Sequence, residues 1–287
     1  MTATLEAPVR ANLAHPVLGA DLPQLRPTVA EAVPGRARAV LPVAAAAVGV
    51  AAAAVVAPSG APALTAAVVG AGLLTSIAAN WSTCGMSVAA VVAAPKQADR
   101  AGSSTPARRL GWHAFGSILT GAPTGALIGA IGMLLAGTID VVWALAAWAV
   151  VALAYGLHEL GVLRMPTPMR RRQLPRHLRR SMAPWKVSFV FGTMIGPGFV
   201  IFIRSSAYYL LVLGLLLAGN PLLGAALFTI VSLGRCLPSL AAIVHTRSGG
   251  TMPGFLSAMC VVDRRVQAIT GAGLVGLAAF AAAALLV

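Results

Sequence analysis

Long apolar runs alternate with short polar segments along nearly the whole chain. Seven runs stand out: Ala39–Ala57, Pro62–Ala94, Trp112–Ala136, Val141–Val162, Val187–Leu217, Leu222–Val244 and Ala268–Val287. A helix needs about 20 apolar residues to cross a bilayer, and each run meets or approaches that length. Hydrocarbon offers no partner to backbone amides, so runs of this kind satisfy themselves as helices. The pattern predicts an all-α integral membrane protein of about seven transmembrane helices. Residues 1–35 carry Pro8, Pro16, Pro23, Pro27 and Pro34 and no apolar run. They read as a disordered cytoplasmic tail, and the lack of an early apolar core argues against a cleaved signal peptide.

Composition agrees. Hydrophobic residues make up 58% and charged residues only 10% of the chain, against about 25% charged in an ordinary soluble domain. Ala, Gly, Leu and Val dominate, and small residues let membrane helices approach closely. The net charge of +14 raises nucleic acid as a partner, but of the 21 Lys and Arg residues all except Arg204 and Arg235 lie outside the apolar runs. The partner implied is the lipid bilayer, and nucleic acid is excluded.

The basic residues also orient the chain. Arg36 and Arg38 precede the first run; Lys96, Arg100, Arg108 and Arg109 lie between the second and third. Eight more, from Arg164 to Lys186, separate the fourth from the fifth, and Arg247, Arg264 and Arg265 lie between the sixth and seventh. With seven spans all four groups fall on one side, whereas Pro58–Ala61, Gly137–Asp140 and Ala218–Pro221 contain no Lys or Arg. The positive-inside rule puts the N-terminus in the cytoplasm and the C-terminus outside, in the cytoplasmic (inner) membrane. An eight-span reading divided at Arg204 would leave Ala207–Leu217, too short to cross. The segment 164–186 reads as a topology determinant rather than a lipid-headgroup site.

Three cysteines, Cys84, Cys236 and Cys260, form no disulfide framework, and no C-x-x-C or zinc spacing occurs. No metal or cofactor is expected. No paired carboxylate site, catalytic triad or phosphate-cradling loop is visible. Whether the chain is an enzyme stays open.

Two runs are overlong and carry helix-breaking or polar interruptions. The second contains Asn80-Trp81-Ser82-Thr83-Cys84-Gly85-Met86, the fifth Gly192-Thr193-Met194-Ile195-Gly196-Pro197-Gly198. Proline removes a backbone donor and glycine weakens a helix, so breaks are expected there. The division that follows is an extra N-terminal span over 36–61, a three-helix half over 62–163, the basic loop 164–186 and a second three-helix half over 187–287. The halves would form a 3+3 inverted repeat, and matching interruptions in such halves point to a central site. Candidate substrate-binding residues there are Asn80, Thr83, Met194 and Pro197. Arg235, deep in the sixth run, joins them because a central arginine costs about 2.5–3.5 kcal/mol and is kept facing the interior, water or an anion.

The residues resemble a known family. Gly72-Leu73-Leu74-Thr75-Ser76 leading to Ser82-Thr83-Cys84 is similar to the first Pro-Cys centre of the CcdA/DsbD thiol–disulfide electron carriers of cytochrome c biogenesis, with Thr83 for the usual proline. Phe191–Pro197 resembles the second centre, while His113-Ala114-Phe115 with Gly121–Gly132, and Gly224–Leu227 through Leu233-Gly234 to Leu237-Pro238, resemble the following spans. This resemblance implies that Cys84 is a catalytic thiol, and that reducing equivalents cross the membrane to an extracytoplasmic or cytoplasmic thiol protein. Met194 stands where the second cysteine belongs, and a thioether cannot form a disulfide. A permease for a small solute or soft metal ion explains that residue better, with Cys84, Met86 and Met194 as soft ligands. A structural subunit that anchors partners is the third reading. His113, His158 beside Glu159, and His245 read as residues of the membrane interface.

Overall fold

A computed structural model describes residues 33, 35–56, 59–81, 83–94, 104–135, 137–166, 182–198 and 205–286. The described residues form ten α-helices and one short 3₁₀ turn, with no strand among them. In chain order these are α1 (Gly35–Val56), α2 (Ala61–Ala78), the 3₁₀ turn Ala79–Trp81, α3 (Thr83–Val92), α4 (Pro106–Leu135), α5 (Val141–Glu159), α6 (Pro184–Ile195), α7 (Ser206–Ala218), α8 (Pro221–Gly234), α9 (Leu237–Arg247) and α10 (Met252–Ala284). The chain is a multi-pass membrane protein.

Six stretches are long and apolar enough to cross a membrane: α1, α2, α4, α5, α8 with α9, and α10. The fifth apolar run departs from the expected single span. It is two helices, α6 and α7, and α7 with 13 residues rises only about 20 Å. The last run also differs, because α10 starts at Met252 and takes Cys260, Arg264 and Arg265 into the helix. Arg204 and most of the tail and basic loop lie outside the described residues.

Packing brings the two ends of the chain together. α4 lies against α6 and α8, α5 against α10, α2 against α7 and α8, and α3 against α9, while α1 packs on α10. The main core joins Val68, Leu145, Trp148, Leu211, Phe228 and Leu274 from five different helices. Trp148 is fully buried and its Nε1 donates to the carbonyl of Leu210 at 3.1 Å, so its one polar atom is satisfied. Apolar side chains such as Val55, Leu134 and Trp143 point outward, as a helix in lipid requires.

α4 uses glycine where α8 crosses it. A Cβ at Gly125 would overlap the carbonyl of Gly224, and a Cβ at Gly224 the carbonyl of Gly125. Bare backbone on both sides is what permits this approach.

Candidate functional site

Three helix interruptions meet inside the bundle. The first is the 3₁₀ turn between α2 and α3. The second is the end of α6 at Gly196-Pro197-Gly198, where Gly198 has φ of +83°. The third was not anticipated: α8 stops at Gly234, and Arg235-Cys236 form a turn before α9. Pro238 lies in the first turn of α9, where a missing amide costs nothing.

Gly234 joins the first and third breaks. A Cβ there would overlap Ser76 and come within 2.8 Å of Asn80 Nδ2. Asn80 is buried and its Nδ2 donates to the Ser76 carbonyl at 2.6 Å, while Ser76 Oγ donates to the Ile230 carbonyl at 3.0 Å. The second of these bonds ties α2 to α8 near the break.

Arg235 joins the third break to the second. Its side chain is buried, and Nη1 donates to the carbonyl of Ile195 and, at 3.3 Å, to that of Gly196. Those carbonyls end α6, where helix carbonyls lack intrahelical partners and attract a cation. Pro197 takes part through its carbonyl, which accepts from the Tyr208 hydroxyl at 2.6 Å. Thr120 of α4 donates to the Thr193 carbonyl at 3.0 Å and Ser232 to the Ser117 carbonyl at 3.1 Å. Polar partners thus surround backbone that a break has freed, as membrane depth demands.

The expected residues separate into groups. Asn80, Pro197 and Arg235 come together at the centre. Met194 instead packs with Val88, Val92, Val187 and Phe191. The side chains of Thr83 and Cys84 lie outside the described residues. Of the soft-ligand set, Met86 has its Sδ 3.8 Å from Cys260 Sγ, and Met86 and Met194 pack in different hydrophobic clusters. Among the described residues no group of three or more His, Cys, Asp or Glu could hold a metal ion.

Sequence reasoning missed two features. His113, expected at the interface, is fully buried beside Phe191 and the Ser188 backbone, with neither ring nitrogen in a well-formed hydrogen bond. Its signal was faint, a single histidine seven residues past the start of a long helix. The second feature is a pair of buried carboxylates, Glu159 and Asp263, lining one cavity. They lie 104 positions apart (263 − 159) on α5 and α10, so no local spacing announces them.

Comparison with known proteins finds relatives named for methylamine utilisation. The chain is 28% identical over 176 residues to "Methylamine utilization protein MauF" of Methylophilus methylotrophus, covering 61% of this chain and 62% of that one. It is 34% identical over 167 residues to the protein of that name from Paracoccus versutus, with 55% and 58% covered. The Paracoccus denitrificans protein is 31% identical over 181 residues, with 61% of each chain covered. The match therefore spans about three fifths of the relatives' length. No family model and no solved structure matches the chain.

These relatives overturn the resemblance to the CcdA/DsbD carriers, from which the MauF proteins are a different family. The physical reason lies in composition: Gly- and Leu-rich spans with a break at mid-length look alike wherever helices pack closely. Met194, which cannot take part in a disulfide, and Thr83, in place of the usual proline, were the residues that departed from the carrier pattern.

Proposed function

We propose that this chain is a membrane protein of methylamine utilisation and that it works as a permease, admitting a small solute at the centre where the helix breaks meet. The observation that carries this reading is Arg235, a buried guanidinium at the break of α8 that holds the carbonyl end of α6. Two interrupted helices bridged by a charged side chain can change their relation when a ligand competes for that charge. Asn80 and His113 supply further hydrogen-bonding capacity near by, and broken helices at depth are where membrane transporters place their substrates. A buried arginine favours an anionic or carbonyl-bearing solute over a cation.

The relatives' names supply the metabolic setting. The test is a strain lacking this gene, grown with methylamine or with ammonium as sole nitrogen source, together with uptake of radiolabelled candidate solutes. The gene should be needed on methylamine alone, and Arg235→Gln at wild-type abundance should not restore it. Normal growth and uptake without the gene would end the proposal.

A further inference from the structure

A second polar site lies where α5, α7 and α10 meet near the end of α2. Glu159, Ser205, Asp263, Gln267 and Thr270 line a cavity of about 20 Å³, with Ala78 as part of its wall. That is room for one water-sized species. Glu159 and Asp263 are each 4% exposed, and carboxylates so placed are retained only with compensation.

The capping of α7 shows what the site has been built to spare. Ser205 occupies the N-cap, where a serine hydroxyl ordinarily accepts from an amide two or three residues on. It does not. Glu159, from another helix, caps instead, its Oε1 accepting from the Ser206 amide at 2.7 Å. The Ser205 hydroxyl is buried, lines the cavity and has no hydrogen-bond partner among the described residues. Thr270 gives its proton to the Val266 carbonyl at 2.8 Å, which leaves its oxygen as an acceptor. Gln267 Oε1 accepts from Arg264 Nη1 at 2.9 Å.

We propose that this cavity is a binding site for a small monovalent cation, held by the carboxylates of Glu159 and Asp263 with the hydroxyl of Ser205. Every group named offers oxygen, the ligand that hard cations and ammonium share. The cavity volume excludes a quaternary ammonium such as choline. This site does not depend on the permease reading, because binding is measured on the protein itself.

The experiment is thermal unfolding of the purified full chain in detergent, titrated with NaCl or NH₄Cl against choline chloride at constant ionic strength. A saturable rise of about 2–4 °C with either small cation is expected. Which cation acts separates metal coordination from ammonium hydrogen bonding. Glu159→Gln and Asp263→Asn should abolish the rise. Ser205→Ala removes one uncharged oxygen and should raise the half-saturating concentration about tenfold. Equal midpoints in all three salts, or a response that survives in both carboxylate variants, overturns the proposal. Should those variants fail to fold, an unchanged half-saturation in Ser205→Ala overturns it alone.

Discussion

Gly125 of α4 and Gly224 of α8 meet backbone to backbone, each occupying the space that the other's Cβ would need. The contact sits between the two helices that frame the central site, so its tolerance for volume is low. Overpacking a tight contact costs about 1–3 kcal/mol and more where backbone is the obstacle.

Gly125→Leu is therefore expected to lower the yield of folded protein and its unfolding midpoint. Gly111→Ala serves as the control, because nothing lies within 4 Å of a Cβ there and alanine is the better helix former. Size-exclusion profiles and unfolding midpoints in detergent check both. Equal behaviour of the two variants would show that the helices do not cross at this contact.

Arg109 predicts a local effect. It is buried and donates to the carbonyls of Ala94 and, at 3.4 Å, Val91, at the C-terminal end of α3. Arg109→Met should cost about 1.5–3 kcal/mol, the worth of hydrogen bonds to a charged group. Amide exchange should quicken through α3 but not α5. Arg108, which is exposed, should tolerate the same change.

Orientation rests on the distribution of charge. In a background with the three cysteines replaced by serine, Thr138→Cys should react with a membrane-impermeant maleimide in intact cells. Ser248→Cys should react only after permeabilisation. Both positions are exposed. The reverse pattern would invert the topology and place the basic segments outside.

Cys84 separates the permease from thiol chemistry. Under the permease reading Cys84→Ser restores growth on methylamine to a strain lacking the gene. Loss of growth at normal abundance would show that the thiol itself is required, and would count against solute passage as the function.

The apolar runs by themselves determined that this chain is a helical membrane protein, because only a helix can hide a continuous backbone in hydrocarbon. They also placed the interruptions at Asn80 and Pro197, since proline, glycine and polar clusters act within a few residues of where they stand. The break at Arg235 was legible in part: its charge marked the position and Pro238, which cannot bond the Gly234 carbonyl, marked the end of the helix, but the long apolar run hid it. What tertiary structure alone decided is which interruptions meet. Asn80 reaches Gly234 and Arg235 reaches Ile195 because the ends of α2, α6 and α8 come together, and that depends on packing between segments distant in sequence. The pairing of Glu159 with Asp263 has the same origin. Each carboxylate is an ordinary feature of its own helix, and only the approach of α5 to α10 makes a site of the two.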